Sequence, residues 1–205
     1  MRVRLLAAVA AVLLSAGLAP AQTVAVVPAA AVLPVSGRDG GLWYSSVGAD
    51  GTEAGLDAAA YTAAYKRPGG GVTPLPLAGA FYSYAQVGSA GGTVFGGAGY
   101  TLGGFAGAVR WDAAAGTADT LPGFGVYVSA VADDRTAVAS DPFGHRVWHA
   151  DGSVSPLDLS GVLPGVWVFF VVGLEREPGG AYTLTVTGVD PALGYVGYVV
   201  SGLPL

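Results

Sequence analysis

Beyond residue 24 the apolar residues of this chain fall in short alternating runs, and none recurs at the 3.6-residue spacing of a helix face. The runs are strand-length, rich in Val, Tyr, Thr and Trp, and bounded by Gly, Pro and Asp. They also repeat. A Leu-Pro phrase, an aromatic run, a polar turn and a second aromatic strand recur four times, opening at Leu33-Pro34, Leu75-Pro76, Leu121-Pro122 and Leu163-Pro164. The offsets are 42, 46 and 42 residues. At such a period each unit is one small sheet that can bury its faces only against its neighbours. The pattern predicts an all-β chain of four repeated small antiparallel sheets, β-propeller-like, as a four-bladed ring or an open arc.

Each cassette reads the same way. An apolar strand reaches a polar turn at Asp50-Gly51, Ala90-Gly91-Gly92, Asp133-Asp134-Arg135 or Pro178-Gly179-Gly180. Thr52, Thr93, Thr136 or Tyr182-Thr183 then opens the return strand, as in a hairpin. The second hairpin carries a bulky aromatic at Tyr65, Trp111, Trp148 or Tyr198. In three cassettes a turn follows, at Pro68-Gly69-Gly70, Ala115-Gly116 or Asp151-Gly152. Four strands per cassette is the natural count. Ahead of the repeats, which occupy residues 33–205, the segment 22–32 is a linker or a closing strand for the ring.

Residues 1–21 belong to a different class. Arg2 and Arg4 precede the apolar stretch Leu5 to Leu18, and Ala19-Pro20-Ala21 supplies small residues before Gln22. This is the pattern of a cleaved secretory signal peptide, shorter than a membrane span. It predicts a secreted, periplasmic or cell-envelope location. With no cysteine, neither a lipid anchor nor a disulfide framework is available. Loss of the leader takes two basic residues, so the net charge moves from -5 to about -7, which opposes nucleic acid and anionic membranes. The absence of Asn and Ile, and Lys66 as the single lysine, fit the codon bias of a GC-rich bacterial genome.

Three segments resemble the bacterial extracellular repeats often called HAF repeats: Ala108 to Gly125, Val128 to Ser140, and His145 to Leu157. The resemblance is good over about residues 108–157, fair over 43–95 and weak beyond 160. It departs from the family at the leading His-Ala-Phe, where Gly107-Ala108-Val109 and His145-Arg146-Val147 stand, and at the degraded turns Asp134-Arg135 and Gly91-Gly92. It implies propeller-like stacks of small sheets on an exported protein, and brings no catalytic residues.

Candidate chemistry is sparse. His145 and His149 lie four residues apart, about 13 Å along a strand, too far to share one zinc ion. Ser140, Asp141 and either histidine make a conceivable triad without a nucleophile elbow. Asp50, Asp133, Asp134, Asp151, Glu175 and Glu177 read as turn residues rather than calcium ligands. Gly69-Gly70-Gly71 and Gly96-Gly97-Ala98-Gly99 lack the Lys-Ser/Thr of a phosphate loop and read as loops between strands. Trp43, Tyr44, Phe81, Tyr82, Tyr84 and Tyr127 suit either a sugar platform or, given their repeated placement, packing between sheets. No catalytic, cofactor or metal residue is assigned. The expectation is a non-enzymatic exported scaffold or binding module for a protein or glycan partner, with open sheet edges as a route to self-association. The alternatives are an outer-membrane β-barrel and a secreted hydrolase on a propeller. Against the barrel, the run Val166 to Val172 is apolar on both faces, as a buried propeller strand would be.

Overall fold

The computed structural model describes residues 22–29, 36–48, 50–77, 79–88, 93–121, 123 and 126–205. The leader, the Leu33-Pro34 phrase, the Ala90-Gly91-Gly92 turn and Pro122 lie outside the described residues. No α-helix occurs among the described residues. The chain forms four separate antiparallel sheets arranged as a four-bladed β-propeller, not one continuous barrel.

Blade 1 holds β3 (Leu42–Val47), β4 (Glu53–Asp57), β5 (Thr62–Lys66) and β6 (Val72–Pro74), with a short extra strand β2 (Gly37–Asp39) paired to β3. Blade 2 holds β7 (Tyr82–Gly88), β8 (Val94–Thr101), β9 (Gly104–Asp112) and β10 (Thr117–Leu121). Blade 3 holds β11 (Tyr127–Val131), β12 (Ala137–Asp141), β13 (Gly144–Trp148) and β14 (Val154–Pro156). Blade 4 takes β15 (Trp167–Arg176), β16 (Tyr182–Asp190) and β17 (Gly194–Leu203) from the end of the chain, and β1 (Thr23–Val27) from its beginning. β1 runs antiparallel to β17, from Thr23 opposite Ser201 to Val27 opposite Gly197. The segment read as a linker or closing strand thus completes the last blade with backbone hydrogen bonds.

The seams explain the repeated phrase. Leu75 and Leu163 sit between the last strand of one blade and the first of the next, in the apolar clusters of those seams, and Leu121 at the end of β10 packs against the cluster of its own. Trp111 joins Ala54, Ala63, Leu75 and Phe95 between blades 1 and 2. Trp148 joins Val94, Ala108 and Val128 between blades 2 and 3. Tyr198 joins Ala130, Val138, Leu184 and Val200 between blades 3 and 4. Tyr65 stacks on Phe95 across the first seam, centroids 4.8 Å apart. No such apolar cluster joins blade 4 to blade 1 among the described residues.

Hydrogen bonds reinforce the apolar seams. The indole Nε1–H of Trp111 donates to the Pro76 carbonyl at 2.7 Å. Tyr182 Oη donates to Asp134 Oδ2 at 2.6 Å and lies 3.0 Å from Thr136 Oγ1, tying β16 to the first turn of blade 3. The carboxylates mainly cap turns: Asp50, Asp134 and Asp151 each accept from the backbone N–H two residues on. That is the Asx-turn role, which fixes the loop with the side chain of its own first residue.

Two expectations fail. Gly96-Gly97-Ala98-Gly99 is not a loop but the middle of β8. A Cβ on Gly97 would lie 2.1 Å from the Tyr84 carbonyl oxygen, so the close approach of β7 demands glycine there. Gly55 stands in the same relation to the Trp43 carbonyl of β3, at 2.0 Å. In both pairs the neighbouring first strand carries a register shift, between Tyr44 and Ser46 and between Ala85 and Val87. The bulge pushes backbone toward its partner. Nor is the Val166 to Val172 run buried on both faces. Val171 is in the core, whereas Phe169 and Phe170 stand exposed beside Trp167.

Candidate functional site

Antiparallel pairing sorts the turns onto two ends of the ring. In each blade the second strand returns toward the end at which the first strand entered. The turn between second and third strands therefore emerges beside the interblade connectors. All four of these turns expose a large apolar or aromatic side chain: Tyr61 at 55%, Leu102 at 93%, Phe143 at 96% and Leu193 at 55%. Phe81 and Trp167, which lead into β7 and β15, are exposed at the same end. The described turns at the opposite end carry Gly, Ala, Pro and polar or charged residues and no large apolar one, with Val47 and Val154 exposed on the strands beside them. One end of the ring is apolar at its tips and the other polar. Single exposed apolar residues are ordinary; a set gathered at one end is a candidate interaction surface.

The turn face contains a groove of about 430 Å³ between blades 3 and 4. Tyr127 at the start of β11, the β12–β13 turn from Asp141 to His145, and Trp167 to Phe169 at the start of β15 line it. β15 also shifts register between Val168 and Phe170, so Phe169 is the bulged residue. Its ring stacks on Trp167 at 5.4 Å, and Tyr195 tilts against it at 6.4 Å. A tyrosine cluster adjoins on blade 2: Tyr82 and Tyr100 are 5.2 Å apart and Tyr84 and Tyr100 6.0 Å apart. Burial and the Tyr100 contact raise the Tyr84 hydroxyl.

Beneath the groove runs a polar chain. Ser129 Oγ lies 2.8 Å from Ser140 Oγ, which lies 2.8 Å from His145 Nδ1. Asp141, next in sequence, receives the Phe143 N–H at 2.7 Å and pairs with Arg146, not with the imidazole. Two members of the conceivable triad therefore do meet. Ser140 is buried and its hydroxyl is shared with Ser129, so a substrate carbonyl has no approach to it. His149 is engaged elsewhere, its Nε2 2.8 Å from Ser155 Oγ, and the two histidines share nothing. No cluster of three or more metal-ligating side chains occurs among the described residues.

His145 titrates below its ordinary value because burial disfavours the charged ring, against smaller opposing effects of the Val168 backbone and Asp141. The sign follows by linkage. The unfolded histidine takes up its proton near pH 6.5, whereas the folded one resists until lower pH. Stability contributed by neutral His145 is therefore full above that value and falls as the pH drops through the window below it. Urea unfolding at pH 7 and pH 5.5 should show a smaller acid-induced loss for His145→Gln than for the wild type. Equal losses would refute this.

Arg110 is a group the sequence did not single out. It is buried on β9 and reaches across the seam to the carbonyls of His149 at 2.9 Å and Trp148 at 3.5 Å, and to that of Arg135. Its Nη2 lies 3.3 Å from Asp119, and its guanidinium covers the Trp148 ring at 4.2 Å. Burial lowers its pKa, and Asp119 opposes that. A planar fork meeting several carbonyls is the geometry of a structural clamp between blades.

Compared with protein-family models, with curated proteins and with solved structures, the chain matches none of them.

Proposed function

We propose that the protein is an exported, non-enzymatic β-repeat protein, a scaffold or binding module of the cell envelope or extracellular space. Its recognition surface is the end of the ring that bears Tyr61, Leu102, Phe143 and Leu193. The one-sided placement of these four tips carries the reading. Loops held by rigid sheets are where such folds carry recognition. The leader pattern and the likeness to exported HAF-type repeats support the location. The buried, shared Ser140 hydroxyl argues against the hydrolase alternative.

Two measurements test it. Fractionation of the natural host should recover the protein outside the cytoplasm, soluble without detergent, with Gln22 as its first residue. Retention in the cytoplasm, or a need for detergent, would overturn the export reading. A hydrolase screen with and without calcium should show no turnover, and activity lost on Ser140→Ala would restore the enzyme alternative.

A further inference from the structure

The blade 3–blade 4 groove is a concave part of the turn face, and its volume of about 430 Å³ suits a small ligand. Its walls are aromatic. Trp167 and Phe169 form a stacked pair on one side and Phe143 stands on the other, with Tyr127 and His145 between them. Trp167 is 71% exposed and Phe143 96%, so much of both rings touches nothing of their own chain.

The polar groups of the groove divide into spent and unspent. Asp141 is spent on the Phe143 N–H and on Arg146. His145 is spent between Ser140 and the Val168 backbone. The Tyr127 hydroxyl, half-buried, makes no hydrogen bond among the described residues. The groove therefore offers broad aromatic faces and a free hydroxyl, but no free charge. An anionic ligand finds no counter-charge there, since Arg146 is already matched by Asp141. A fatty chain would leave the tyrosine hydroxyl desolvated and unpaired. A pyranose ring satisfies both conditions, with a C–H face to lie on an aromatic plane and hydroxyls around its rim.

We infer that this groove binds a neutral saccharide, with Trp167 as the stacking platform and the Tyr127 hydroxyl as the polar anchor. The inference rests on the binding-module reading above and names its ligand class.

Purified mature protein would be titrated with cellohexaose, maltohexaose, mannohexaose and N-acetylchitohexaose, with polygalacturonate as the charged contrast. Calorimetry and tryptophan emission read the binding. At least one neutral hexasaccharide binds, with little dependence on salt. Trp167→Ala weakens it about tenfold or more, and Tyr127→Phe about fivefold. Both variants keep the wild-type melting temperature, because neither group supports the core. Absence of heat with every neutral hexasaccharide at millimolar concentration overturns the inference. So does preference for polygalacturonate, or binding that both variants leave intact. A dimer in sedimentation velocity that Trp167→Ala dissolves would also overturn it, by making the groove a contact between copies. Fractionation reads the export proposal independently, so a failed titration does not touch that result.

Discussion

Arg110→Ala should destabilise the protein by about 3–5 kcal/mol, the range found when one member of a buried charge network is removed. The substitution strands the Arg135 carbonyl and takes a charged donor from that of His149, which keeps the Gly152 N–H. It also uncovers the Trp148 ring and takes one of two arginines from Asp119. Arg110→Lys keeps the charge but not the fork, and should recover less than half of the loss. Urea denaturation reads the effect as a lower midpoint at unchanged slope. A loss below about 1 kcal/mol for Arg110→Ala would mean that water replaces the guanidinium and that the seam between blades 2 and 3 is apolar in its energetics.

Trp111→Ala should have a comparable effect by another route, about 3–5 kcal/mol from lost transfer energy and the cavity left behind. Trp111 is fully buried in the seam between blades 1 and 2, and its only polar atom is satisfied by Pro76. Trp111→Phe separates the two contributions. It keeps most of the ring and loses the hydrogen bond, so it should cost about 1–2 kcal/mol. Thermal unfolding should rank wild type, Phe and Ala in that order. A Phe variant as weak as the Ala variant would show that the Pro76 bond, rather than ring volume, holds the first seam.

Much of the fold was legible because strand alternation, Asp- or Gly-rich turns and a repeat near 42 residues all point to the same unit. The aromatics that recur in the second hairpins, Trp111, Trp148 and Tyr198, lie at seams. Gly96 to Gly99 was misread because glycine in a run resembles a loop, whereas here bulged β7 crowds its partner and excludes side chains. Arg110 was hidden for a related reason. In Ala108-Val109-Arg110-Trp111 it occupies a place that alternation assigns to either face, and only the neighbouring blade supplies the carbonyls that let an arginine face inward. The apolar tips did leave a trace: Tyr61, Leu102 and Phe143 are spaced by 41 residues, close to the repeat. Of the groove, Tyr127 alone stood out as a platform aromatic, without its partners. The groove gathers residues 127, 141–145 and 167–169 from two blades, and their distance is set by seam packing rather than by sequence.

The pairing of β1 with β17 also governs the order in which the molecule can form. Thr23 and Ser201, 178 positions apart, are partners. β1 is synthesised long before β17 and must wait for it, carrying an unsatisfied edge until then. Such a long loop makes annealing of the two ends a slow, late event. Under the export proposed above, that delay is an advantage, because the final circle cannot lock while β17 is still being delivered.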